Sequence, residues 1–296
     1  MQKRILVIVT MLLFTCLLMA QKTVEIGSHK LDNNIHMLTG PGGNIAVSVG
    51  QDGVFIVDDL YAHHYTKVTE AINKITPQKV RFVINTHWHA DHSGGNELFA
   101  VKQKSTILAH DNVRKTMSEP QMIQYFKSLK PASPPKALPV VTYSKTMTLH
   151  FNGDNVVLFH VPNAHTDGDS IVHFQKSNIM HMGDTFFKGR YPFIDQDHGG
   201  SIKGIINAAN VVLKIANEET KIIPGHGSVA NTKDLTSYRD MLIKVEKTVS
   251  ALIKENLTLK EIIAKDPLAD LNPIWGQGFM KADLFLTILF DDLREE

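Results

Sequence analysis

The chain has 296 residues, 43% of them hydrophobic and 21% charged, with a formal net charge of +1. That length suits one large domain or two small ones, and the composition is that of an ordinary globular protein. A near-neutral balance argues against broad electrostatic binding, so no nucleic-acid partner is expected.

Lys3 and Arg4 precede an apolar run from Ile5 to Met19, broken only by Thr10, Thr15 and Cys16. Ala20 offers a small residue for cleavage before Gln21. The run is short for a membrane span and reads as a secretory signal peptide over residues 1–20. A periplasmic or secreted address follows, with no stable membrane association once the signal is removed. Lipid attachment at Cys16 is poorly matched by Phe14 and Thr15 before it. Cys16 is the sole cysteine, so the processed chain has no disulfide and no thiolate ligand.

Short strands are expected at Thr23–Ile26, Ile35–Leu38 and Ile45–Val49, with a turn cluster at Gly40-Pro41-Gly42-Gly43-Asn44. Gln51-Asp52-Gly53 is a hairpin signal before the apolar strand Val54–Val57 and then Asp58-Asp59. Helical spacing of Val68, Ala71, Ile72 and Ile75 predicts a helix from His63 to Ile75, with His63 and His64 as helix-end residues. Val80–Ile84 and Thr106–Ala109 read as strands flanking a short helix at Gly94–Phe99, an order that implies parallel pairing. Residues 118–139 crowd Pro120, Pro131, Pro134, Pro135 and Pro139 into one irregular excursion holding a short helix. It is either a wall of a cleft or a solvated connector.

The second half repeats the plan. Strands are expected at Val140–Tyr143, Met147–Phe151, Val156–Val161, Ser170–Phe174, Asn178–Met182 and Lys221–Ile223. Ser201 caps a helix bearing Ile202, Ile205, Ala209 and Val212 on one face. A long amphipathic helix runs from Leu235 to Lys254, Thr258-x-x-Glu261 is a capping box, and a last helix spans Leu284–Leu293.

The chemistry concentrates in Thr86-His87-Trp88-His89-Ala90-Asp91-His92, directly after the Val80–Ile84 strand. His87 and His89 at i and i+2 point the same way in extended backbone, and imidazole is the commonest neutral metal ligand. Four ligand-type side chains at the mouth of one strand repel or desolvate one another without a cation. His165, Asp184 in Gly183-Asp184-Thr185, and His226 in Pro224-Gly225-His226-Gly227 each follow a strand as well. Open sheets place ligands at strand C-termini.

The pattern His-x-His-x-Asp-His, followed in order by these three residues, resembles the metallo-β-lactamase fold superfamily. The resemblance covers most of the chain after residue 20. It implies one domain over 21–296, a four-layer αββα sandwich of mixed sheets with helices outside. By that resemblance His87, His89 and His165 hold one zinc, Asp91, His92 and His226 hold a second, and Asp184 bridges them. It implies a nucleophilic hydroxide between the ions and a role for Asp91 in orienting it or shuttling its proton. The all-N/O donor set also tolerates Fe or Mn.

β-Lactamases of the common acquired type carry Cys where Asp184 stands, so the chain resembles the wider hydrolase branch with a bridging Asp. His89, where flavodiiron proteins carry Glu, argues against a redox diiron role. The expected activity is opening of a cyclic amide or ester, β-lactamase-like in the first instance. A lactonase or thioesterase is the alternative, and a non-catalytic metal-binding or partner-binding protein is the alternative of another class. A small molecule is the expected substrate. Lys188, Arg190 and His198 are candidates for substrate contact, with Asn163 and Tyr191 behind them.

Overall fold

The computed structural model describes residues 24–294. The expected signal over residues 1–20, with Cys16, lies outside the described residues. Two sheets face each other. The first has seven strands: β1 (Gly27–Lys30), β2 (Ile35–Thr39), β3 (Ile45–Gly50), β4 (Gly53–Val57), β5 (Val80–Ile84), β6 (Thr106–His110) and β9 (Val141–Tyr143). It runs antiparallel from β1 to β4 and parallel from β4 through β9. The second has five: β10 (Thr146–Phe151), β11 (Asp154–His160), β12 (Ser170–Phe174), β13 (Ile179–His181) and β14 (Lys221–Ile223), antiparallel except for the β13–β14 pair.

Alternation along the strands explains the layers. Phe55 and Val57 of β4 point between the sheets, where they meet Leu158, Val172 and Phe174 of the second sheet. Val54 and Ile56 point the other way, onto Val68 and Ile72 of α1 (Tyr65–Ile75). On the far side, Ile171 and Met180 pack under α5 (Ile202–Ile215), α6 (Thr232–Lys254) and α9 (Ala282–Arg294). Helix, sheet, sheet and helix thus form the four-layer αββα sandwich that the motif order implied. Each fully buried Leu, Ile, Val or Phe contributes about 1.5–3 kcal/mol, so both faces of both sheets stabilise the stack. Among the described residues no helix is long and apolar enough to cross a membrane.

Capping set the helix starts. Ser201 Oγ accepts from Gly204 N at 3.0 Å, as its position predicted. The long helix begins at Thr232, three residues before the expected Leu235, because Asn231 and Asp234 form a reciprocal capping box there. Of the expected strand at Thr23–Ile26, Thr23 lies outside the described residues and residues 24–26 are not in a strand. The first strand is Gly27–Lys30, since the Asp32-Asn33-Asn34 turn pairs Lys30 with His36 and Gly27 with Thr39.

The 118–139 excursion follows α4 (Asp111–Met117) and holds more than a short helix. Strands β7 (Gln121–Ile123) and β8 (Ser128–Lys130) form a hairpin around a single turn of 3₁₀ helix at Gln124–Phe126. Its side chains Gln121, Ile123, Phe126 and Lys130 wall a cleft of about 790 Å³. Of the two readings of the excursion, the wall is the one observed.

Candidate metal centre

All seven expected donors gather at the strand ends of the two sheets. His87 and His89 lie between the end of β5 and α2 (Ala90–Ser93), and Asp91 and His92 lie within α2, which leads through Gly94-Gly95 into α3 (Asn96–Leu98). His165 lies in the β11–β12 connection, Asp184 after β13, and His226 after β14. Ligand atoms of His87, His89 and His165 lie within 4.8 Å of one another. So do those of His87, His92 and Asp184, and those of Asp91, His92 and His226. Asp184 stands between the groups. Its Oδ1 is 3.0 Å from His92 Nε2, and its Oδ2 is 3.3 Å from His226 Nε2 and 3.6 Å from His165 Nε2.

The donor atoms fit a cation. His87 Nδ1 lies 3.0 Å from Thr86 Oγ1, whose own proton goes to Asp58 Oδ2, so the ring donates there and Nε2 keeps its lone pair. His165 Nδ1 donates to the Phe193 carbonyl at 2.8 Å, leaving Nε2 unprotonated. His89 Nε2 donates to Asp195 Oδ2 at 2.8 Å, leaving Nδ1. Three lone pairs therefore converge. Two of them, on His89 and His165, face each other at 2.8 Å. His87 Nε2 is buried with no hydrogen-bond partner. Such an arrangement is unfavourable without a cation between the nitrogens.

Electrostatics agree. Burial pushes the His87 imidazole well below its usual range, and neighbouring His92 adds to the effect. Burial brings His165 down to about 4. Burial opposes charge at His226 too, but Asp184 outweighs it and holds the ring at about 9. Likewise His92 is raised well above its usual value despite burial, by Asp184, Asp91 and Asp58. Asp91 is held at about 2, burial being outweighed by His92 and His226, and Asp184 well below the ordinary carboxylate range for the same reason. The floor of the cleft favours positive charge beside two ionised carboxylates.

Two residues the sequence reading passed over hold the donors in place. Asp58, fully buried, accepts from Thr86 N at 2.7 Å, from Thr86 Oγ1 at 2.8 Å and from His92 Nδ1 at 2.7 Å. Its φ of 64° is a strained backbone for a non-glycine residue. Asp195, also buried, accepts from His89 and from His198 Nδ1, both at 2.8 Å and both on Oδ2. A carboxylate placed directly after an apolar strand was the available signal for Asp58. Asp195 sits in a loop without pattern.

The Gly40–Asn44 turn packs against the site. Gly43 donates to the Asp91 carbonyl at 3.2 Å, and Asn44 ties the turn to the Pro224 and Gly227 carbonyls at 2.8 and 2.9 Å. A side chain at Gly43 would collide with the His92 ring, and one at Gly225 with Asp184. These two positions require glycine for close approach.

His89, Asp91, Asp184 and His226 reach the cleft, whereas His87, His92 and His165 are buried behind them. Among the candidates for substrate contact only Arg190 lines the cleft. Lys188 does not, because its Nζ is held by the Val229 carbonyl at 2.8 Å and Asp234 at 2.9 Å. His198 stands behind His89, between Asp195 and Gln121, with a ring contact to Trp88 at 4.6 Å. Asn163 is held by the Gly199 carbonyl, and Tyr191 is buried with its hydroxyl on Asn272.

A family model described as the metallo-beta-lactamase superfamily matches residues 38–247. A comparison with curated proteins finds no match. Among solved structures, the DIM-1 metallo-beta-lactamase superposes with a TM-score of 0.59 at 20% identity, covering 75% of this chain and 99% of that one. A metallo-beta-lactamase from Pontibacter korlensis gives 0.61 at 15%, covering 74% and 99%. The sec-alkylsulfatase Pisa1 from Pseudomonas sp. gives 0.67 at 15%. That likeness covers 90% of this chain but only 50% of the sulfatase. At these identities the likenesses establish the fold alone.

Proposed function

The chain belongs to the metallo-beta-lactamase superfamily and is a metal-dependent hydrolase with a His/Asp metal site, and from that premise we propose that it opens a cyclic amide or ester of a small molecule, a β-lactam-like ring first among them. In this reading His87, His89 and His165 would hold one divalent cation and Asp91, His92 and His226 another, with Asp184 standing between the two groups. The N/O donor set suits zinc and accommodates Fe or Mn. When bound, the cations supply nucleophilic water at neutral pH and polarise the scissile carbonyl.

The chain's own residues do the positioning. Asp91 stays ionised and faces the cleft, where it accepts a hydrogen bond from the attacking water and guides its proton. Trp88 and Phe193 shield the floor of the cleft from bulk water. The observation that carries the reading is the convergence of three proton-free imidazole nitrogens at the base of an open cleft.

The test is turnover of a chromogenic cephalosporin by metal-loaded protein, repeated after chelation, with an acyl-lactone and an alkyl sulfate alongside. Cephalosporin turnover that disappears with chelator is expected. Sulfate-ester cleavage alone would favour a second reading, which the alkylsulfatase likeness over 90% of the chain supports. No metal-dependent turnover of any of them would overturn hydrolysis of these bonds. We further read residues 1–20 as a cleaved export signal and place the enzyme in the periplasm or outside the cell. Sequencing the N-terminus of protein from the extracytoplasmic fraction checks this, and residue 21 is the expected first residue.

A further inference from the structure

Large apolar side chains left in water ask for an explanation when they cluster around a cavity. Phe126 is 43% exposed and Phe279 is 56% exposed, yet both line the cleft above the metal centre. They come from unrelated segments. Phe126 ends the 3₁₀ turn of the β7–β8 hairpin, and Phe279 lies beyond residues 38–247, the part shared with the superfamily model. The hairpin is fastened in place: Gln124 N donates to Asp197 Oδ2 at 2.7 Å, and the Tyr125 hydroxyl lies within hydrogen-bond reach of both Gln196 Oε1 and Asp291 Oδ2.

An apolar path leads inward from the hairpin aromatic. The Phe126 ring lies 4.8 Å from that of Phe193, and Phe193 lies 5.9 Å from His89 and 5.8 Å from His165. Ile123, Met117 and Trp88 line the same cavity. Along β7 the alternation is clear: Ile123 faces the cavity, whereas Met122 pairs with Leu129 and does not line it.

We propose that the substrate carries an extended acyl or alkyl chain beside its scissile bond, which lies along Phe193 and Phe126 and is covered by Phe279. The proposal rests on the hydrolase reading for the bond that is cleaved, and on the exposed aromatics for the chain. A flexible hydrocarbon is the ligand chemistry that gains most from covering two solvated aromatic rings. Each methylene buried lowers KM about fourfold, the ~0.8 kcal/mol per CH₂ converted at RT of about 0.59 kcal/mol.

The test is an N-acyl lactone series with butanoyl, hexanoyl and decanoyl chains on the metal-loaded full chain, alongside equilibrium binding of butanoate and decanoate followed by tryptophan fluorescence. The carboxylate is common to both ligands, so their ratio isolates the chain. The decanoyl substrate is expected to exceed the butanoyl in kcat/KM at least tenfold, and decanoate to bind at least tenfold more tightly. Phe126→Ala and Phe279→Ala should each cut that ratio several-fold, and Phe126→Leu should restore much of it. Both rings are partly solvated, so a thermal melt should show the variants folded. A flat chain-length series in the native protein overturns the proposal, as does a steep one unchanged by both alanine variants. If no lactone is cleaved but decanoate keeps its advantage and loses it in the variants, the chain site stands and lactone hydrolysis fails.

Discussion

The two carboxylates that hold the histidines of the candidate metal centre work differently. Asp58 uses both oxygens: Oδ1 accepts from Thr86 N, and Oδ2 from Thr86 Oγ1 and His92 Nδ1. Through Thr86 it also fixes His87, so it steadies one ligand from each proposed ion site. Asp195 uses one oxygen. Its Oδ2 accepts from His89 and His198, and its Oδ1 has no hydrogen-bond partner. One anchor is wired into the sheet at the end of β4, and the other joins a ligand to the wall of the cleft. Equal chemistry therefore does not imply equal tolerance of change.

The largest break in that comparison is Asp58→Asn. An amide must turn its NH₂ toward a donor whichever way it sits, because both native oxygens accept. If it meets His92 Nδ1, the ring must move its proton to Nε2, the nitrogen that faces Asp184 and Asp91. Metal affinity is expected to fall about 100-fold, the upper end for partners of metal-bound histidines. Zinc competition against a chromophoric chelator measures it. An affinity within threefold of native would show that Asp58 does not set the tautomer.

At Asp195 the same exchange should be mild. Asn can place its carbonyl where Oδ2 stands and its NH₂ where the unpartnered Oδ1 stands, keeping both histidine contacts. Asp195→Asn is expected to stay within about threefold in metal affinity, and Asp195→Ala to lose about tenfold. The contrast between the two asparagine variants is sharper than either alone. If Asp195→Asn matches Asp58→Asn, the difference in oxygen use carries no weight.

The residues that gather at the site were legible because each one follows an apolar strand and the strands themselves were legible. Their order in the chain then carried the fold, since Val80–Ile84 and Lys221–Ile223 deliver His87 and His226 to the same edge. The anchors were less so. Asp58-Asp59 reads as a polar strand end, and nothing in its neighbours shows that both side chains are buried or that Asp58, at φ 64°, turns its carboxylate onto Thr86 and His92. Asp195 and His198 lie in a loop, where no period constrains direction, so His198 resembled a cleft residue until its ring was seen between Asp195 and Gln121. The β7–β8 hairpin was masked by the flanking Pro120 and Pro131 and by Met122 and Leu129, which are exposed on a strand pair where an inward pattern is the usual signal. The slip of the first strand has the same origin: Gly27-Ser28-His29-Lys30 has no apolar pattern and is held by pairing with β2.

The smallest expected effect lies at the far end of the Asp195 connection. Gln121 Oε1 lies 3.1 Å from His198 Nε2, and Gln121 Nε2 donates to the Thr116 carbonyl at 2.8 Å. Gln121→Ala removes one bond between hairpin and loop, a net cost of about 0.5–1.5 kcal/mol, while the Asp197 and Tyr125 ties remain. Metal affinity should be unchanged, because Asp195 still holds His89. The hairpin should loosen, read as faster amide exchange over residues 121–130 and a KM raised two- to fivefold, with kcat nearly constant. A fall in metal affinity instead would mean that strain passes from the cleft wall through His198 and Asp195 to His89, and that covering the substrate and holding the metal are one event.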